Sequence, residues 1–176
     1  RSQATFDVHD QQLVYALGAL KNVGVEAMKL IVDGRDGREF VNLYDLARRV
    51  DLKRVGKRPL EMLARAGAFD VLDPNRRRVF GSLDALVGYS AAIHDQKNSN
   101  QVSLFGEAGD DLPEPRLAGG DDWLPAERLA EEFKAIGFYL SGHPLDDYMA
   151  ALKRKQVLSL DDVIAKAERG ACIVQM

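Results

Sequence analysis

Residues 42–67 read NLYDLARRVDLKRVGKRPLEMLARAG, two helical stripes either side of a turn at Val55-Gly56. Leu43, Leu46, Ala47 and Val50 recur at helical spacing, and Asn42 is placed to cap them. Asp45, three residues on, suits the positive end of that helix. Asp51 to Gly56 reads as a turn and Lys57 to Ala66 as the second helix, with Leu60, Leu63 and Ala64 facing inward. Pro59 falls in the first turn, where a missing N–H costs nothing, and Gly67 is placed to end the helix. Phe69 is expected beneath the pair.

A similar unit lies upstream. The apolar run Leu13–Leu20 is followed by the turn Asn22-Val23-Gly24-Val25, then by Val25, Met28, Ile31 and Val32 at helical spacing, with Gly34 as a stop. Each unit therefore reads as apolar helix, short turn with an apolar residue before Gly, second helix. Val23 and Val55 would plug the gap between helices, and Gly24 and Gly56 would let the backbone approach a ligand with no Cβ in the way. N–H groups at the start of each second helix then face outward with the partial positive charge of the helix end, an arrangement that takes a phosphate oxygen and reads no base. Val23, Gly24, Val25, Lys53, Arg54, Val55, Gly56, Lys57 and Arg58 are the candidate DNA-backbone residues of what looks like a helix-hairpin-helix pair. For the first unit taken alone, an ordinary helical hairpin with a glycine turn is the better fit. Lys53, Arg54, Lys57 and Arg58 at the second turn favour phosphate there.

Charge is segregated. Between Arg35 and Arg78 twelve basic residues face seven acidic ones, and from Asp95 to Asp122 seven acidic residues face two basic ones. The chain as a whole carries a formal −3, so it is no polycation, but basic charge gathered in one folded segment is a phosphate-binding footprint. The acidic tract has Gly and Pro breaks and no hydrophobic period, so residues 95–123 read as a flexible linker. Within it, Gln101-Val102-Ser103-Leu104-Phe105 sets two large apolar side chains beside a glutamine that can bond at a pocket rim. The pentapeptide resembles the motif by which bacterial replication proteins bind the sliding clamp, with Gln101, Ser103, Leu104 and Phe105 as the matching positions.

The remainder is mainly α. Thr5–Val8 alternates weakly as a strand end would, and Ser82 to His94 reads as a helix. Pro125 opens an amphipathic helix with Leu129, Phe133, Ile136 and Leu140 in its stripe. Ser141-Gly142-His143-Pro144 breaks it, and a further helix from Asp146 to Lys155 is expected to bury Tyr148, Met149 and Leu152. Ser159 with Asp162 caps a last helix reaching Arg169, and Ala171–Met176 reads as a strand with no partner. Arg1-Ser2-Gln3 and that last strand suggest a piece of a longer chain. No apolar run approaches the roughly 20 residues of a membrane span. The single cysteine, Cys172, fits a reducing cytoplasm. The paired aspartates lie in the linker or at helix starts, and His9, His94 and His143 stand apart from any Cys/His/Asp cluster. No catalytic residue, metal site or cofactor is assigned.

Together the strings YALGALKNVGVEAMKLIV, LEMLARAGAFD, QVSLFG and AIGFYLSGHPLDDY resemble, in order and spacing, the C-family replicative DNA polymerases of bacteria. That resemblance covers nearly the whole chain. It implies that residues 1–94 are the end of the fingers region with a duplex-binding helix-hairpin-helix domain, and 95–123 a linker with the internal clamp-binding motif. Residues 124–170 would be a helical connector, and 171–176 the first strand of an OB domain. It further implies double-stranded DNA, the sliding clamp and other replicase subunits as partners, with Mg2+ needed by the parent polymerase but not held in this segment. Asn22 departs from the Gly usual in the family, and Gly56 from its common Asn. Two alternatives stay open: an error-prone member of the same family, and a non-enzymatic repair or replication adaptor built from the same parts.

Overall fold

The computed structural model describes residues 2–9, 11–98 and 112–170, which fall into two units, Arg1–Tyr139 and Leu140–Met176. The first begins with a two-stranded antiparallel hairpin, β1 (Asp7–His9) and β2 (Gln12–Val14), in which Val8 faces Leu13. A single 3-10 turn, Leu17–Ala19, leads to α1 (Val25–Gly34), α2 (Leu43–Arg49), α3 (Leu52–Val55), α4 (Lys57–Ala66), the long α5 (Arg76–Asn98) and α6 (Pro125–Ile136). The described chain is thus mainly helical, as the periodicities indicate.

Local chemistry sets most of these boundaries. The Asn42 side chain accepts a hydrogen bond from the Asp45 N–H at 2.8 Å and starts α2. Asp51 accepts from the N–H groups of Lys53 and Arg54 and turns the expected loop into the one-turn α3. Gly56, at φ 91°, ends α3 and begins α4, and Gly67, at φ 79°, ends α4. Both angles strain a residue carrying a Cβ. Met28, Leu52, Leu60, Leu63, Leu86 and Ile93 are fully enclosed and form the centre of one core, with α4 and α5 packed across it and α6 laid along α4.

Three expectations are corrected in this unit. The run Leu13–Leu20 is no helix. The N–H groups of Leu17 and Gly18 donate sideways to the Gln3 and Ala4 carbonyls at 2.9 and 3.0 Å, and a Cβ on Gly18 would lie 2.6 Å from the Ala4 oxygen. Too short to repay helix nucleation, this segment bonds across the chain instead of along it. In α6 the inward face is Glu132, Ala135 and Ile136, while Phe133 is 41% exposed. The third correction concerns the linker. α5 continues to Asn98, and residues 112–123 form an extended strap along α2 and α5. Tyr44 Oη donates to the Pro115 carbonyl at 3.1 Å, the Ala118 N–H to Ser82 Oγ at 2.8 Å, and Arg48 to Glu114 at 2.7 Å. Half-buried Leu112 and Leu117 add apolar area, so the strap regains in contacts what ordering costs.

An ion network ties the unit together. Arg76, only 6% exposed, gives Nε and Nη2 to Asp70 at 2.8–3.1 Å and Nη1 to Glu132 on α6 at 3.3 Å. Arg128 of α6 reaches the same Asp70 at 2.8 Å and Asp122 of the strap at 2.9 Å, and Arg65 of α4 pairs with Glu131. Arg78 holds Asp73 at 2.7 Å and keeps its carboxyl below the ordinary aspartate range.

In the second unit a 3-10 turn, Asp146–Tyr148, runs into α7 (Met149–Arg154), and α8 spans Leu160–Ala167. Ser159 Oγ accepts from the Asp162 N–H as expected. The His143 N–H donates to Asp146 at 2.6 Å, which makes the SGHP break a capped turn. Tyr148 and Met149 are exposed, not buried, since neither α7 nor α8 has a fully buried residue. The strand expected over 171–176 lies outside the described residues.

Two stability measurements follow. Gly67→Ala would place a Cβ 2.1 Å from the Arg76 guanidinium at a left-handed φ, and is expected to cost about 2–4 kcal/mol in urea unfolding. A loss within about 0.5 kcal/mol would show that Arg76 moves aside freely. Ser90→Ala removes the acceptor of the buried Leu52 N–H, for about 1–3 kcal/mol. Hydrogen exchange at the Leu52 amide should quicken more than at Leu63.

Candidate nucleic-acid interface

The second hairpin is held from below. Leu52 and Val55 of α3 are 1% and 3% exposed, so the short helix is pinned by its apolar pair while Lys53 and Arg54 project outward. Buried Ser90 of α5 clamps the same stretch: its Oγ accepts from the Leu52 N–H at 3.0 Å and donates to the Val50 carbonyl at 2.8 Å. Gly56 then reverses the chain, and no side chain caps the first amides of α4. The first turn of α4 has no acidic residue, and the Leu60 N–H is already spent on the Gly56 carbonyl. Pro59 has no N–H, which leaves the Lys57 and Arg58 amides at the positive helix end beside their own exposed side chains.

Four cations do not stand alike around this turn. Lys57 Nζ sits 2.7 Å from Asp84 of α5, whose hydrogen bond raises the lysine above its ordinary value. Arg58 lies 3.9 Å from Glu61. Lys53 and Arg54 are exposed and face no carboxylate among the described ion pairs. Elsewhere much of the segment's basic charge meets internal acids: Arg48 pairs with Glu114, Arg49 with Asp45, Arg65 with Glu131, Arg76 and Arg78 with Asp70 and Asp73, while exposed Arg38 and Arg77 have no ion pair among the described residues. The footprint read from residues 35–78 therefore thins out, and within it Lys53 and Arg54 are the cations without an ion pair that stand at a hairpin turn.

The first turn is built differently. Gly24 has an extended φ of −84°, so its backbone freedom goes unused, and Asn22 takes the left-handed angle at 59°. Asn tolerates that region, which accounts for its standing there. Val23 is half-buried, Gly24 and Val25 are exposed, and a Cβ on Gly24 would meet nothing within 4 Å. The uncapped start of α1 is offset by Glu26 in its first turn, paired with Lys29 at 2.7 Å. The Lys21 N–H donates to the Ala135 carbonyl at 2.8 Å, joining this turn to the end of α6. Both turns reach the surface, but only the second gathers cations there.

Gln101, Ser103, Leu104 and Phe105 lie outside the described residues. A cavity of about 550 Å3, floored by Leu17, Ile31, Leu46, Leu63 and Phe69, includes no residue of either turn. Among the described residues no group of three or more His, Cys, Asp and Glu could hold a metal ion. No described helix is long and apolar enough to cross a membrane. Sequence reasoning missed Ser90 and Asp84. Ser90 had a signal, a hydroxyl in the inward register of Leu83, Leu86 and Ile93; Asp84 had none.

Comparison with known proteins agrees with this geometry. A family model described as the helix-hairpin-helix motif matches residues 1–79. DNA polymerase III subunit alpha of Caulobacter vibrioides is 41% identical over 172 residues, 97% of this chain and 15% of that protein. The subunits of the same name from Borreliella burgdorferi and Vibrio cholerae are each 35% identical, over 96% and 85% of this chain and 15% and 13% of their own lengths. The chain thus spans about one-seventh of the relatives it matches. Nearly end to end, it aligns with one segment of the bacterial DNA polymerase III alpha subunits, and that is the family to which it belongs.

Proposed function

We propose that this segment grips duplex DNA by its phosphates, without sequence preference, and tethers a replicative polymerase to its sliding clamp. The observation that carries the first half is the Gly56 turn: uncapped amides at the start of α4, a glycine at φ 91°, and four cations within the six residues 53–58. Amides and cations at a helix start bind phosphate oxygens and read no base edge, so affinity is set by charge. Of the two turns the second leads, because Glu26 offsets the first.

The second half rests on Gln101, Ser103, Leu104 and Phe105, whose types and spacing match the clamp-binding pattern. Tethering works through effective concentration, so even a weak peptide contact keeps the enzyme near the primer end. In the whole cytoplasmic polymerase, DNA synthesis with Mg2+ would fall to carboxylates elsewhere, with other replicase subunits as further partners.

Fluorescence anisotropy with duplexes of unrelated sequence tests the grip. The dissociation constants should agree between sequences and weaken steeply with salt. Lys53→Ala with Arg54→Ala should lower the log–log salt slope by about two. A marked base preference, or an unchanged slope in that variant, would falsify the phosphate reading. For the tether, Leu104→Ala with Phe105→Ala should abolish capture by the clamp while duplex affinity stays put. Capture at wild-type strength would remove the tether and leave the grip standing.

A further inference from the structure

Among the described residues, the pair between Lys57 and Asp84 is the one place where another element supplies a carboxylate to the second hairpin's turn. Lys57 Nζ lies 2.7 Å from one Asp84 oxygen and 2.9 Å from the other, and the two residues are 27 apart in sequence. Both side chains are well exposed, at 56% and 76%, so the contact adds little to folding. Its position gives it another use. The first turn of α4 has no acid of its own, and Lys53 and Arg54 face no carboxylate among the described ion pairs. Asp84 thus brings negative charge to the start of α4 from outside that helix, where a DNA phosphate would otherwise be the natural counter-ion.

We propose that Asp84 is a displaceable internal counter-ion for Lys57, so that duplex DNA engages the second hairpin by exchanging the carboxylate for a phosphate. This rests on the phosphate-grip reading and adds a regulator to it. Exchange swaps one anion for another at the same ammonium, so Lys57 contributes less net attraction than Lys53 or Arg54. On release of the duplex, Asp84 takes the lysine back. A grip built this way holds DNA loosely enough to be remade at each new phosphate, which suits a protein that must advance along its template.

The test is a double-mutant cycle on duplex affinity, with Asp84→Asn, Lys57→Ala and the combination beside the unaltered 176-residue chain. Circular dichroism melts would confirm that each variant folds. Asp84→Asn is expected to tighten binding about two- to fivefold at low salt, the range of an exposed ion pair, and less at high salt. In the Lys57→Ala background the same substitution should change nothing. No tightening by Asp84→Asn overturns the exchange. Equal tightening with and without Lys57 also overturns it, by assigning the effect to overall charge. If none of the four proteins binds duplex DNA, the phosphate grip itself fails.

Discussion

A guanidinium almost sealed from water, that of Arg76, sits where four pieces of chain meet. Asp70, from the turn after α4, and Glu132, from α6, supply its counter-charge, and the Arg65 carbonyl accepts from the same Nη1 at 3.3 Å. Removing one partner of such a buried pair typically costs about 3–5 kcal/mol, because the remaining charge stays out of water with nothing opposite it. Gly67 is part of the same construction: the arginine lies so close over it that only a residue without Cβ leaves room. The angle between α4 and α5 depends on this junction, and so does the docking of α6 through Glu132 and Glu131.

The junction also explains what becomes of segregated charge. Read along the chain, a basic block precedes an acidic tract, and the two could serve separate partners. In space much of the basic block meets carboxylates of its own neighbours, of α6 or of the strap. Glu114 and Asp122 of the strap take Arg48 and Arg128, and the Arg77 N–H donates to Asp122 at 3.0 Å. Among the described residues, the cations of the block that no ion pair reaches include Lys53, Arg54, Arg38 and Arg77, and of these Lys53 and Arg54 stand at a hairpin turn. A net-charge count over a segment overstates an electrostatic surface whenever the opposite block can fold back on it.

Legibility in the sequence follows the range of the forces involved. The start of α2 at Asn42, the reversal at Gly56, the stop at Gly67 and the Ser159 cap are decided within four or five residues, and each was readable. Hairpin two, the core of the candidate interface, was readable for the same reason. The upstream apolar run was misread because its fate depends on the carbonyls of Gln3 and Ala4, which no periodicity reveals. α6 was misjudged by its face, since Glu132 counts as outward until Arg76 is known to wait inside. The strap reads as free chain in the sequence because its ligands, Tyr44, Arg48 and Ser82, lie at least 36 residues earlier. Ser90 and Asp84 belong with these: a position on a helix says which way a side chain leans, not what stands opposite.

Ser90 has a mechanical consequence. Its hydroxyl couples the short α3 directly to the middle of α5, and α5 runs eight more residues to Asn98, roughly 12 Å of helix. A tug applied at the far end of that rod reaches the hairpin through one hydrogen-bonded joint and a wall of tightly packed leucines, with no slack loop between. The hairpin and the far end of α5 therefore share a strut, and strain taken up at one end is felt at the other within the stiffness of a single helix.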